Sequence, residues 1–232
     1  RTINYVLIWH LIDPKTFAVR LKKGNVKAAP IKNIPLQLPF NSKAFTPENF
    51  GYTVSFDKKG NSFAAELIGD KVTCDNITFS IADHENKNVI KCKGDTIQLP
   101  KEAAGKKLYI LAASTDKDRK STFLVNGKSH EFEIPYYSGF YGQWGHKGVS
   151  DGYIRNASLA YIGSHRHTEK GNDTYIYTYM YKLGIELPQE AHTLVLPKDE
   201  NIAVFAITLS DNYIDDISTA NEMRTLPLEV SK

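Results

Sequence analysis

Apolar and polar positions alternate at short period along most of this chain. "YVLIWHLI" (5–12) and "TFAVRLK" (16–22) are β-rich runs split by the turn signal Asp13-Pro14. The following "AAPIKNIPLQLPFN" holds Pro30, Pro35 and Pro39. Proline removes a backbone donor and is confined to strand edges and linkers, so this stretch reads as a connector. It separates residues 1–32, expected as the terminal strands of a preceding β domain plus linker, from a β-sandwich over 33–232.

Beyond residue 50 the pattern becomes regular. "YTVSF" leads into the turn "DKKGN", and in "KVTCDNITFSIAD" Ile77, Phe79 and Ile81 share one face. "KKLYILAAS" (106–114) is apolar at nearly every position, which predicts a central strand buried on both sides. "STFLVNGKSHEFEIP" contains Asn126-Gly127, the residue pair of a type I′ turn, and predicts a hairpin of 121–125 with 128–134. "GYIRNASLAYIG", "TYIYTYMYKLGIELP", "HTLVLP" and "NIAVFAITL" supply further strands. Only "DISTANEMRTL" is helix-capable. The fold expected is all-β: an antiparallel β-sandwich of jelly-roll or galactose-binding-like type, with little helix.

Charge and cysteine content exclude several classes. Lys+Arg number 29 and Asp+Glu 26, a net charge of +3, too balanced to predict nucleic acid or an anionic membrane as partner. No apolar run approaches the roughly 20 residues of a membrane-spanning helix. The chain begins with Arg1 rather than Met and is read as a fragment or mature product. Cys74 and Cys92 form no CxxC or zinc-ribbon spacing and are expected as free thiols.

Candidate chemistry concentrates in "YIGSHRHTEKGNDTYIYTYMYKLGIELP" (161–188). As a strand, its second half places Tyr175, Tyr177, Tyr179 and Tyr181 on one face. Such a face serves either as a sugar-stacking platform or as core packing; packing is the expectation here. "GSHRHTEKGND" reads as a turn-forming loop reversed at Gly171-Asn172, joining strands 152–163 and 173–185. His165 and His167, two apart, would share a face and could ligate zinc with a third and fourth ligand from among His146, Glu169 and Asp173. The spacing selects none of these three, and a backbone-bonded loop is the preferred reading. In "FDKKGNSFAAELI", Asp57, Asn61 and Glu66 surround a glycine turn and are weak calcium candidates; an Asx-type turn with Glu66 pairing a cation is the preferred reading. "GQWGHKG" places Trp144 and His146 on a glycine-flanked loop. Trp144, His146, His165 and His167 are the residues expected to touch sugar, if any do, because recognition residues gather on end loops. Asn76, Asn156 and Asn172 begin N-x-S/T triplets. There is no GxSxG, phosphate loop or dinucleotide fingerprint.

Several segments, in order, resemble one family. "LQLPFNSKAFTP", "FDKKGNSFAAEL", "ITFSIAD", "NVIKCKGDTIQLP", "KKLYILAAS", "GQWGHKG", the 161–188 block and "HTLVLPKDENIAVFAITLSDN" look like the C-terminal β region of bacterial α-mannosidases of glycoside hydrolase family 38, including glycosyl hydrolase-related proteins. The resemblance covers about residues 15 to 220. That family's zinc site and nucleophilic aspartate lie in an N-terminal barrel with no counterpart here, so no catalytic residue is carried over. The resemblance implies a non-catalytic accessory sandwich of a mannose-glycan-degrading enzyme, with no cofactor of its own. Its partners would be the parent's zinc-dependent catalytic domain and mannose-containing glycans. The compartment would be periplasmic or extracellular. An independent carbohydrate-binding module is the alternative.

Overall fold

The computed structural model describes residues 31–48, 54–143, 153–155 and 157–211. The expected strands at 5–12 and 16–22, the helix-capable segment at 216–226, and Trp144 and His146 lie outside the described residues. The chain divides between Ile31 and Lys32, and the architecture below belongs to the second unit.

In chain order the strands are β1 (Asn33–Pro35), β2 (Phe45–Thr46), β3 (Ser62–Ala64), β4 (Lys71–Cys74), β5 (Ile77–Ser80), β6 (Ile90–Lys91), β7 (Thr96–Gln98) and β8 (Lys107–Ser114). They continue with β9 (Arg119–Val125), β10 (Lys128–Ile134), β11 (Gly142–Gln143), β12 (Tyr153–Ile154), β13 (Ser158–Thr168), β14 (Gly171–Glu186), β15 (Thr193–Val195) and β16 (Ile202–Ser210). Two single 3-10 turns, Ala65–Leu67 and Lys101–Ala103, are the helical elements among the described residues.

The main sheet runs β1-β16-β8-β14-β13-β3-β2, with β6 also on β16; a second sheet runs β10-β9-β15-β7. Pairing is antiparallel except between β2 and β3. The protein is therefore an all-β sandwich, as its alternation predicts.

β8 is buried along its whole length. Leu108, Ile110 and Ala112 join Phe123, Leu194 and Ile207 in one core. Tyr109, Leu111 and Ala113 join Phe63, Phe79 and Phe205 in another. The main sheet thus has apolar cover on both faces, which is why 106–114 lacks polar alternation. The first core includes residues of the β10-β9-β15-β7 sheet, and the second includes residues of the β4–β5 hairpin.

Two hairpins turn on adjacent positive-φ residues. Asn126 (φ 48°) and Gly127 (φ 81°) join β9 to β10, as expected. Asp75 (φ 51°) and Asn76 (φ 63°) join β4 to β5, so "KVTCDNITFSIAD" is a hairpin rather than one alternating run. Pro35 ends the edge strand β1, where its missing N–H is tolerated. Cys74 and Cys92 are not joined in a disulfide.

The 161–188 block departs from its expected layout. β13 continues through His165, Arg166 and His167 to Thr168, and the chain reverses at Glu169-Lys170. Gly171 (φ 107°) takes the left-handed position, and the Thr168 hydroxyl accepts the Lys170 N–H and donates to the Gly171 carbonyl. "SHRHT" is strand, not loop, because β3 supplies its other edge: Arg166 pairs with Phe63 and His167 with Ser62.

Candidate functional site

The β3–β13 pairing builds the site. β3 runs directly into the 3-10 turn Ala65–Leu67, so Glu66 is carried to the flank of β13. His165 and His167 are two apart on β13 and project to the same side. Arg166 projects to the other, where Asp173 Oδ2 accepts from its Nε at 2.8 Å and Nη2 at 2.7 Å.

Glu66 Oε1 stands 3.0 Å from His165 Nε2 and 3.0 Å from His167 Nε2. A carboxylate only accepts, so in this arrangement each Nε2 carries the hydrogen. The two imidazoles stack, with centroids 5.4 Å apart and planes at 28°. His165 Nδ1 lies 3.2 Å from Ser164 Oγ. His167 is buried, His165 half-buried and Glu66 exposed, so the cluster opens on one flank. Two imidazole nitrogens and a carboxylate oxygen directed at one locus can hold a proton between them or ligate a divalent metal.

Of the third ligands weighed from the sequence, Asp173 holds Arg166, the Glu169 carboxylate lies against Gly60, and His146 is outside the described residues. The partner is Glu66, which local spacing had grouped with Asp57 and Asn61.

Asp57 and Asn61 build a turn. Asp57 Oδ1 accepts the backbone N–H of Lys59 at 2.8 Å and of Asn61 at 2.9 Å. Its Oδ2 accepts Asn61 Nδ2 at 2.8 Å and the Tyr137 hydroxyl at 2.9 Å. These donors fill the roughly four acceptor positions of a carboxylate. Burial first, and the Asp57 charge second, push the Tyr137 phenol far above its usual range, so it stays a donor.

The tyrosine row divides. Tyr179 and Tyr181 are buried at 5% and 0% exposure, whereas Tyr175 and Tyr177 are 81% and 40% exposed. The division follows a register shift: Gly163 pairs with Thr178 but His165 pairs with Thr174, and Tyr175 takes φ 64°. The extra residues bulge from the ladder and carry the outer tyrosines away from the core. Gly139 donates its N–H to the Tyr177 carbonyl, which brings the 68% exposed Phe140 to the same end of β14.

No curated protein matches the chain. Residues 32–213 match a family defined as an AziU2-like beta-sandwich domain, a span that includes both sheets and the Glu66–His165–His167 cluster. The chain belongs to the AziU2-like beta-sandwich domain family.

Proposed function

We propose that this domain is a non-catalytic accessory sandwich of an α-mannosidase-type glycoside hydrolase, and that it contacts mannose-containing glycan through the outer end of β14. The observation that carries the sugar contact is the exposure of Tyr175 and Tyr177, with the exposed Phe140 following the Gly139 that bonds to the Tyr177 carbonyl. Large aromatic side chains left in water offer an apolar face to sugar C–H groups and, in tyrosine, a hydroxyl for hydrogen bonding. The mannosidase assignment is supported by the ordered resemblance of segments from about residue 15 to 220. On this reading, hydrolysis and the catalytic zinc belong to a separate catalytic domain of a bacterial enzyme working in the periplasm or outside the cell.

The test is a nuclear magnetic resonance titration of the chain with oligomannosides. Saturable shifts at Tyr175 and Tyr177, abolished in the Tyr175→Ala/Tyr177→Ala variant while the fold is retained, are expected. Absence of any mannoside-dependent shift overturns the sugar contact. Burial of the same side chains on adding the parent's catalytic domain would then assign them to a domain interface instead.

A further inference from the structure

We propose that Glu66, His165 and His167 form a binding site for one divalent transition-metal ion, zinc by preference, with a coordination position left open to solvent or an exogenous ligand. This site does not depend on the glycan reading above.

The geometry is the first argument. Zinc holds imidazole nitrogen and carboxylate oxygen at about 2.0–2.2 Å, so tetrahedral ligand atoms lie about 3.3 Å from one another. Glu66 Oε1 is 3.0 Å from each Nε2, and all three ligand atoms fall within 4.8 Å of one another. Metal entry therefore needs the hydrogen of each imidazole to move from Nε2 to Nδ1, with small side-chain adjustments.

Placement is the second argument. His167 is fixed inside the sheet by pairing with Ser62 on β3 and Asn172 on β14. His165 is fixed by pairing with Thr174, and its Nδ1 faces the Ser164 hydroxyl. A hydroxyl can donate or accept, so Ser164 supports His165 both as the Nε2–H tautomer that a contact to the Glu66 carboxylate requires and as the Nδ1–H tautomer that presents a bare Nε2 to a metal. The competing cation, Arg166, projects to the opposite side and is held by Asp173.

Charge and ligand type set the ion. Two imidazoles and one carboxylate suit zinc, nickel, cobalt or copper, whereas calcium and magnesium require mostly oxygen ligands. Three protein ligands with an exposed flank leave the fourth position open, as in sites that bind water or a ligand.

The experiment uses tag-free protein titrated with cobalt(II) and followed by visible absorption, with zinc competition and melting curves in parallel. One equivalent of cobalt with the intense bands of tetrahedral coordination, displaced by zinc, is expected, together with a rise in melting temperature. Glu66→Gln and His165→Gln should each lose the saturable uptake while their metal-free circular dichroism matches the wild type; Glu169→Gln should retain it. Absence of saturable uptake near one equivalent, or uptake unchanged in both Glu66→Gln and His165→Gln, overturns the proposal. If His165→Gln fails to fold, Glu66→Gln alone decides, because Glu66 is exposed on a 3-10 turn.

Discussion

Lys182 Nζ lies 2.6 Å from Asp75 Oδ2, an ion pair that fastens the turn of the β4–β5 hairpin to the middle of β14. The Lys182 side chain is 2% exposed and that of Asp75 40%. The ammonium also sits 5.5 Å from the centroid of the Tyr109 ring. Removing one partner of a fully buried pair costs about 3–5 kcal/mol. Asp75 is partly solvated, so Asp75→Asn should cost less, about 1–3 kcal/mol. Asparagine tolerates the φ of 51° at this position, so the substitution isolates the charge. Adding Lys182→Met should recover most of the loss. Urea denaturation of the two single variants and the double variant measures the coupling; additive losses would show that the pair contributes nothing.

The division of the tyrosine row predicts unequal substitution costs. Tyr181→Ala should destabilise by about 3–5 kcal/mol, the range for large-to-small changes in a core. Tyr175→Ala should stay within about 0.5 kcal/mol, as expected for an exposed side chain away from any special contact. Chemical denaturation midpoints with unchanged slopes are the measurement.

Asp116 predicts a response to acid. Its carboxyl is held at about 2 instead of 3.8, chiefly by the Arg119 hydrogen bond, with desolvation opposing. Arg119 Nε and Nη2 reach it at 2.7 and 2.6 Å. A carboxyl lowered in the folded state stabilises above its unfolded value, and that contribution is lost as pH falls toward the folded one. Asp116→Asn should therefore flatten the wild-type decline in stability between about pH 4 and pH 2 without altering the curve's shape near neutrality. Denaturant midpoints across that range in both proteins provide the test. The effect should be modest, because the carboxylate is partly in water.

What could be read from sequence was local. Asn126-Gly127 announces its hairpin because two adjacent positive-φ residues admit few alternatives. β8 announces itself by lacking polar positions. Asp75-Asn76 performs the same turn without glycine and passes unnoticed inside an alternating segment. The histidine site was half legible: His165 and His167 were singled out, but Glu66 lies 99 residues from His165, and only the β3–β13 pairing joins them. Nearby Asp57 and Asn61 drew Glu66 into the wrong group because closeness in sequence resembles closeness in space on a glycine turn. The tyrosine row was half legible too: Tyr179 and Tyr181 pack in the core as expected, and Tyr175 and Tyr177 do not. Strict alternation assumes an unbroken ladder, and the bulge between Gly163 and His165 breaks it.

β16 closes both cores, with Phe205 on one side and Val204, Ile207 and Leu209 on the other, and it lies between β1 and β8 although it comes last of the described strands. During synthesis on the ribosome, one edge of β8 and the part of each core that β16 fills stay open until residue 210 has emerged. Such non-local closure is slow and leaves nascent chain exposed to aggregation. A chain stopped within β16 is not a smaller domain but a client for chaperones and proteases.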